Sequence, residues 1–393
     1  MKILTFDLSR IMAGTVAPST IEDCVEAFRE LGHEVTQIEP TILGETPQER
    51  LEGLKEEFRK TEPDFVFTLN DYCLTPELLT ILKIPYVSWF GDNPFHVMEN
   101  NYCSPYYTIF VWDWFYIKNL KEVGFENVYY LPYGSNPAVF KRVELSQEEE
   151  ERYGCNISFA GSSFSSALKK YDEIVKDRDT KKLIDKIVEI QVEDPTLNIS
   201  DILKAVEDAS YCSISFKDTQ HKRQIEIWLE YLAMAKYRQE IIGNLGSLGL
   251  NIYGDEGWRE FLKGGDWNGI RFLGWANNRT DLTKIYNVSK INLNISKSQS
   301  RSALSMRIFD ISCAGGFLVT DFRVTLPEFF ILDKEVVCYR SKDEVRELVV
   351  YYLDHPQERE EIGRAAQKRI LAEHTFRHRM GSLLATMVDK GRL

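Results

Sequence analysis

The feature that most constrains this chain is a strand-to-helix alternation that runs through it twice. Lys2–Phe6, Glu34–Ile38, Asp64–Leu69, Tyr86–Trp89, Thr108–Val111 and Val128–Leu131 are short apolar runs. Helix-patterned segments lie between them, such as Thr20–Leu31, which stops at Gly32, and the charged Pro47–Lys60. Alternation of this kind predicts a parallel sheet covered on both faces. Leu131–Gly154 breaks the pattern with two prolines, glycines and an acidic run. A second series then follows: Asn156–Ala160, Leu250–Tyr253, Ile270–Leu273, Ile291–Ile295, Phe317–Thr320 and Glu335–Cys338. The expected class is α/β with two domains, a division that 393 residues favour. The expected boundaries are a first domain at 1–140, a linker at 141–153, a second domain at 154–373 and a C-terminal helix at 374–393 that crosses back to the first. The charged, helix-patterned stretch from about 164 to 235 far exceeds the roughly 2–6 residues of an ordinary β-to-α connection. It reads as a helical insertion leaving a strand's carboxyl end, the edge where such sheets bind ligands.

Composition excludes several function classes. The net charge of -12 argues against nucleic acid or an anionic membrane as partner, but leaves room for a small anion at a locally positive site. Cys24, Cys73, Cys103, Cys155, Cys212, Cys313 and Cys338 are odd in number and scattered, with no C-x-x-C pair, as expected of reduced thiols. The N-terminus lacks an apolar signal-peptide core, and no run of 18 apolar residues exists, so a cytoplasmic protein without a membrane span is expected.

The chemistry-bearing motifs cluster in four places. Ile291–Asp321 reads as strand, polar loop, helix, Gly-Gly break and strand, an arrangement that seats an anion at a helix start. Within it Arg307 and Asp310 share a helix face, and Gly315-Gly316 closes the helix. An arginine there suits a diphosphate oxygen and a carboxylate suits a ribose diol; the plainer reading is a surface ion pair of little energy. The loop Gly161–Ser166 (GSSFSS) follows a strand with small residues whose amides can approach a phosphate, or it is simply a turn. Twelve aromatics crowd Tyr86–Tyr116, where average usage gives about four. Most should be core, with the remainder offering faces to a sugar. WFGDNPF (Trp89–Phe95) places Asp92 on a strand-end loop, suited to a general base or to a turn before Asn-Pro; His96 lies four residues on. No metal-binding histidine spacing, G-x-S-x-G, Walker A or G-x-G-x-x-G occurs.

Taken in order, these segments resemble a known group. SKINLNIS, RIFDISCAGGFLVTD and LPEFF resemble the C-terminal domain of glycosyltransferases of GT-B architecture, most closely the family of the spore maturation protein CgeB. NISFAGSS, GLNIYGDEGW, RFLGWANNRTDLTKIY, the C-terminal helical segment from Asp343 to Arg379, IPYVSWFGDNPF and VYYLPYGSNPAVF fit in sequence. The resemblance implies two Rossmann-like domains facing a cleft, the acceptor on the first and a nucleotide-sugar donor on the second. Asp310 stands where many members carry a ribose-binding Glu, and Ser302 where many retaining members carry another. Arg238, in YRQEIIGNL, matches the family's arginine, which makes Phe164–Ala235 the insertion.

The implied activity is sugar transfer from a nucleoside diphosphate sugar, UDP-sugar favoured, to an acceptor hydroxyl, with no metal or other cofactor. Donor residues would be Gly161, Ser162, Ser163, Arg238, Tyr253, Gly254, Trp275, Ala276, Arg301, Ser302 (near the helix start), Arg307, Asp310, Gly315 and Gly316. Trp89 and Phe95 would meet the acceptor, and Asp92, with His96 in reserve, would be the base if transfer inverts. Rival readings are a sugar-nucleotide epimerase of the same architecture and a non-catalytic nucleotide-binding or scaffold protein. The insertion has three open roles: shaping acceptor choice, closing as a lid, or forming a homodimer contact.

Overall fold

The structure, a computed structural model, describes residues 1–10, 12, 17–40, 44, 46–72, 75–100, 102–210, 212–265 and 267–393. The chain divides into two compact units, 1–137 with 370–393, and 138–369. Each is built on one six-stranded sheet, and every recorded strand pairing is parallel.

In the first unit β1 (Lys2–Phe6), β2 (Glu34–Ile38), β3 (Phe65–Leu69), β4 (Tyr86–Phe90), β5 (Tyr107–Val111) and β6 (Val128–Tyr130) lie in the order β2-β1-β3-β4-β5-β6. β3, β4 and β5 are buried along their whole length because helices cover both faces, which is why they read as unbroken apolar runs. Edge strand β2 is covered only in part. The helix Ala17–Glu30 lays Phe28 edge-on against Phe65 and Phe67, with ring centroids 6.3 and 5.3 Å away. Each such buried ring contributes about 1.5–3 kcal/mol. The C-terminal helix Phe376–Asp389 begins in a capping box at Thr375 and packs on Ala17–Glu30. Its lead-in is pinned to the first unit's last segment: Ser135 N–H donates to the His374 carbonyl and Phe376 N–H to that of Ser135.

In the second unit β7 (Ile157–Ala160), β8 (Leu250–Tyr253), β9 (Ile270–Phe272), β10 (Ile291–Asn294), β11 (Leu318–Asp321) and β12 (Val337–Tyr339) lie in the order β12-β11-β10-β7-β8-β9. Residues 141–153, expected as a linker, belong to this unit. Ser146 caps the helix Gln147–Tyr153, which Glu149–Lys284 and Tyr153–Asp281 tie to the helix Asp281–Val288.

The expected insertion is helical but not a separate lobe. The helices Arg178–Glu193 and Ile199–Ser210 bury Leu183, Ile187, Val188, Ile202 and Leu203 in one cluster with Ile157, Ile252 and Leu293 of the sheet. Those positions recur at helical spacing, so each helix turns one apolar stripe inward. The insertion also runs without a break into the Arg238 segment, as one helix, Thr219–Leu245. Among the described cysteines all six are free thiols; Cys73 lies outside the described residues.

Candidate functional site

In open parallel sheets, ligands bind beyond the carboxyl ends of the strands where strand order reverses. In the second sheet that point lies between β7 and β10, since β8 and β9 extend one way from β7 and β10 to β12 the other. The loops leaving β7 and β10 are the two polar loops singled out above.

The loop after β7 is held by its neighbours. Gly161 N–H donates to the Tyr253 carbonyl, and the Gly161 carbonyl accepts from Trp258 Nε1 at 2.8 Å. Ser163 is anchored on Asp255, whose carboxylate accepts its amide at 2.8 Å, its hydroxyl, and the amide of Gly257. The expectation that all the amides of Gly161–Ser163 face a phosphate is thus corrected: those of Gly161 and Ser163 are already paired. Trp258 and Asp255, in the expected strand-end segment YGDEGW, are the site residues sequence reasoning missed here. Gly254 is required for the approach of β8 to this loop, because a Cβ there would stand 2.3 Å from the Gly161 carbonyl oxygen. Backbone on backbone cannot give way, so Gly254→Ala is expected to cost about 1–3 kcal/mol, read as a lower urea midpoint at unchanged slope.

Arg238 joins the two loops. It is 2% exposed, and its guanidinium donates to the Ser162 carbonyl at 2.6 Å and the Ile295 carbonyl at 2.8 Å. Its carbon centre lies 5.4 Å from the Phe159 ring centre and 4.9 Å from that of Phe164. Burial pulls its pKa down to about 9, the Arg307 charge pushes the same way, and Asp321 opposes. Both hydrogen-bond partners are neutral carbonyls, so positive charge is concentrated at the reversal point.

The loop after β10 is buried rather than open. Ser296, Ser298, Ser300 and Ser302 are all buried. Asp321, at the end of β11, accepts the Ser296 amide at 2.9 Å and pairs with Arg323 at 2.8 Å, with both side chains under 5% exposed. Arg323 also donates to the Ser300 carbonyl, and Thr325 to that of Ser302. Two expectations change here. The helix starts at Met306, not near Ser302, which lies in the loop with its carbonyl held by Thr325. Arg301 turns away into the helical layer, where it forms a buried pair with Glu230 at 2.8 Å and donates to the Leu197 carbonyl. Burial raises the Glu230 pKa against the pull of Arg301.

Met306–Cys313 spans about 12 Å at 1.5 Å per residue, enough to carry the chain back across the sheet. Arg307, partly exposed, lies in its first turn at the ligand edge, and Asp310, 7% exposed, lies one turn further in. Gly315 and Gly316 lead into the start of β11, at the edge opposite the loops after β7 and β10. They serve packing: a Cβ on Gly315 would meet Arg142 Nε at 2.7 Å, and one on Gly316 the Tyr286 carbonyl oxygen at 2.6 Å. Tyr253 is buried at the end of β8, and burial raises its pKa. Beyond β9, Trp275 is 65% exposed and Ala276 is buried.

In the first unit the order reverses between β1 and β3. Asn70 and Asp71, directly after β3, both adopt left-handed backbone, with φ of 48° and 56°. That conformation costs non-glycine residues about 1–2 kcal/mol each, least for Asn and Asp. Asn70 clasps the next strand's loop: its Oδ1 accepts the amides of Gly91 and Asp92, and its Nδ2 donates to the exposed Asp92 carboxylate at 3.4 Å. The Asp71 side chain is buried and accepts the hydroxyls of Tyr86 at 2.7 Å and Tyr107 at 2.6 Å. His96 Nε2 stands 3.7 Å from the oxygen that Tyr107 bonds, with half its side chain exposed. Asp71 was missed, although it carries the same signal as Asp92: an acid on a strand-end loop. Trp89 is corrected from acceptor contact to core; it is 1% exposed, donates to the Leu131 carbonyl, and packs on Tyr133 and Phe376. Phe95 stays partly exposed, edge-on to Tyr116. Seven of the twelve aromatics in this stretch are buried: Tyr86, Trp89, Phe90, Tyr107, Phe110, Trp112 and Tyr116.

Among the described residues no cluster of three or more His, Cys, Asp or Glu could hold a metal ion, and no helix is long and apolar enough to cross a membrane. Residues 223–385 match the glycosyl transferase-like family model. No curated protein matches the sequence. Among solved structures, HepE from Anabaena in complex with UDP-glucose is similar at a TM-score of 0.56 and 12% identity, over 99% of this chain and 100% of that one. Sucrose-phosphate synthase from Thermosynechococcus elongatus is similar at 0.54 and 12%, over 99% and 100%. A glycosyltransferase from Rickettsia africae is similar at 0.52 and 12%, over 98% and 97%. At such identities the likeness establishes the fold: two Rossmann-like α/β units of GT-B architecture.

Proposed function

We propose that this protein is a glycosyltransferase that moves a sugar from a nucleoside diphosphate sugar, UDP-sugar favoured, to an acceptor hydroxyl. The observation that carries this reading is Arg238, a buried guanidinium bonded only to neutral carbonyls at the reversal point of the second sheet. A diphosphate supplies the negative charge that its two carbonyl partners do not. The match to a glycosyl transferase-like family over residues 223–385 supports it, since that segment contains Arg238, Arg307 and Asp310. So does the UDP-glucose complex of the Anabaena neighbour.

The diphosphate would be met by the Ser162 amide, the first turn of Met306–Cys313 and Arg307, with Arg238 behind them. These groups stabilise a leaving diphosphate without a metal ion. Asp310 would accept the ribose hydroxyls, and Trp275 and Ala276 would lie along the base. The first unit would supply the acceptor side, through Phe95 and the loops that carry Asp92 and His96.

Calorimetry with UDP tests the donor assignment. Asp310→Ala is expected to weaken UDP binding by about 30-fold or more, since hydrogen bonds to a charged group contribute about 1.5–3 kcal/mol each. Unchanged affinity would remove Asp310 from the site. UDP-glucose turnover that yields a rearranged sugar nucleotide instead of free UDP would point to an epimerase.

A further inference from the structure

One helix holds the loop after β10 at two points, and the donor reading above uses only one of them. Thr219–Leu245 is continuous over 27 residues; the insertion supplies its first half, and its second half carries Arg238. At Ile295, where the loop begins, the hold is Arg238, whose guanidinium donates to the Ile295 carbonyl at 2.8 Å. At Arg301 the hold is Glu230, whose carboxylate accepts from the Arg301 guanidinium at 2.8 Å. Glu230 precedes Arg238 by about two turns, or about 12 Å along the axis, so one rigid element sets the distance between the two holds. Arg301 has a second partner in the insertion, the Leu197 carbonyl between the helices Arg178–Glu193 and Ile199–Ser210. The residues on either side of Arg301 are fixed from beyond β11, Ser300 by Arg323 and Ser302 by Thr325, each through its carbonyl. Three consecutive residues are thus clamped just before the helix whose first turn carries Arg307. Both side chains of the Arg301–Glu230 pair are 8% exposed, so losing either partner strands a buried charge, unlike at a surface bridge.

We propose that Glu230 is a positioning residue of the donor site, acting through Arg301 to set where the loop after β10 delivers the first turn of Met306–Cys313. The role rests on the glycosyl-transfer reading and deepens it, because it gives the insertion one task, that of a fixed brace for the diphosphate site. Arg238 brings positive charge to that site. Glu230 brings none, since Arg301 neutralises it, so its effect on the nucleotide is geometric. With the pair broken, the loop loses its hold at the end nearer Arg307. The hold at Ile295 remains, so the site persists in a looser form and binds the diphosphate less well.

Calorimetry with UDP and urea unfolding, both on the full chain, test the role together. Glu230→Leu combined with Arg301→Met replaces the pair by apolar side chains of similar size, a change that buried pairs often tolerate without loss of stability. The double variant should keep a urea midpoint near that of the wild type and bind UDP about 10-fold more weakly, the scale on which residues act on a ligand through an intermediary. Glu230→Gln, which leaves Arg301 in place, should weaken UDP to a similar degree and also lower the midpoint. Ile187→Ala truncates a core side chain of the same layer but no member of the pair, and should lower the midpoint with UDP affinity held within about twofold. Unchanged UDP affinity in the double variant overturns the role and makes the pair an element of the fold alone. An equal affinity loss in Ile187→Ala does the same, by tracing the effect to stability. A loss in the double variant that Glu230→Gln does not share puts Arg301 itself on the nucleotide, and also overturns it. Should the double variant not fold, Glu230→Gln is read against Ile187→Ala: weaker UDP binding in the first alone is the expected result, and equal binding in both the contrary one. A wild-type protein that binds no UDP overturns the donor reading itself, whereas one that binds UDP regardless of the pair overturns only the role of Glu230.

Discussion

Asp321→Ala is expected to destabilise the second unit by about 3–5 kcal/mol, the cost of removing one partner from a buried ion pair. Asp321 and Arg323 lie 2.8 Å apart with both side chains under 5% exposed. Without Asp321 the guanidinium stays buried with carbonyl partners at Ser300 and Phe322 but no opposing charge. The Ser296 amide also loses its acceptor, and with it the first fastening of the loop that leads to Met306. Urea unfolding should show the lower midpoint. Asp321→Asn, which keeps an acceptor for Ser296, should lose less. A loss under about 1 kcal/mol for Asp321→Ala would mean the pair behaves like a surface bridge.

Arg238→Met should do the opposite, losing affinity far more than stability. A pKa of about 9 corresponds to roughly 5 kcal/mol against the charged form, a burden the wild-type fold carries. Removing the charge lifts that burden. It also leaves the Ser162 and Ile295 carbonyls without their donor, at about 1–3 kcal/mol each. The two effects are similar in size and opposite in sign, so the midpoint should move little. UDP affinity has no such compensation and should fall about 10-fold, the scale of losing one buried positive charge behind the diphosphate. A large stability loss with intact UDP affinity would make Arg238 a purely structural tie.

The twelve strands were legible because parallel strands covered on both faces leave continuous apolar runs, and all but β12, which starts two residues late, lie within a residue of their expected place. The site was legible only where side chains act close to their own position in sequence. Arg307 and Asp310 lie together on the helix Met306–Cys313, as their spacing predicted. Arg301 was not legible in this way: its partner Glu230 is 71 residues away, on a helix that sequence assigned to an insertion. Gly315-Gly316 lies at the amino edge of β11 because the helix Met306–Cys313 returns across the sheet. Asp321-Phe322-Arg323 looks like an ordinary strand-end pair until β10 lies beside β11 and buries it. Asp71 acquires meaning only when β3, β4 and β5 are adjacent, so that Tyr86 and Tyr107 reach it from two other strands.

We propose that the carboxyl edge of the second sheet, between β7 and β10, holds a nucleoside diphosphate. Crystals grown with UDP should show the diphosphate between the Ser162 amide and the first turn of Met306–Cys313, within reach of Arg307, with the ribose on Asp310. UDP bound elsewhere, or with its ribose turned away from Asp310 and its phosphates away from that helix turn, would contradict it.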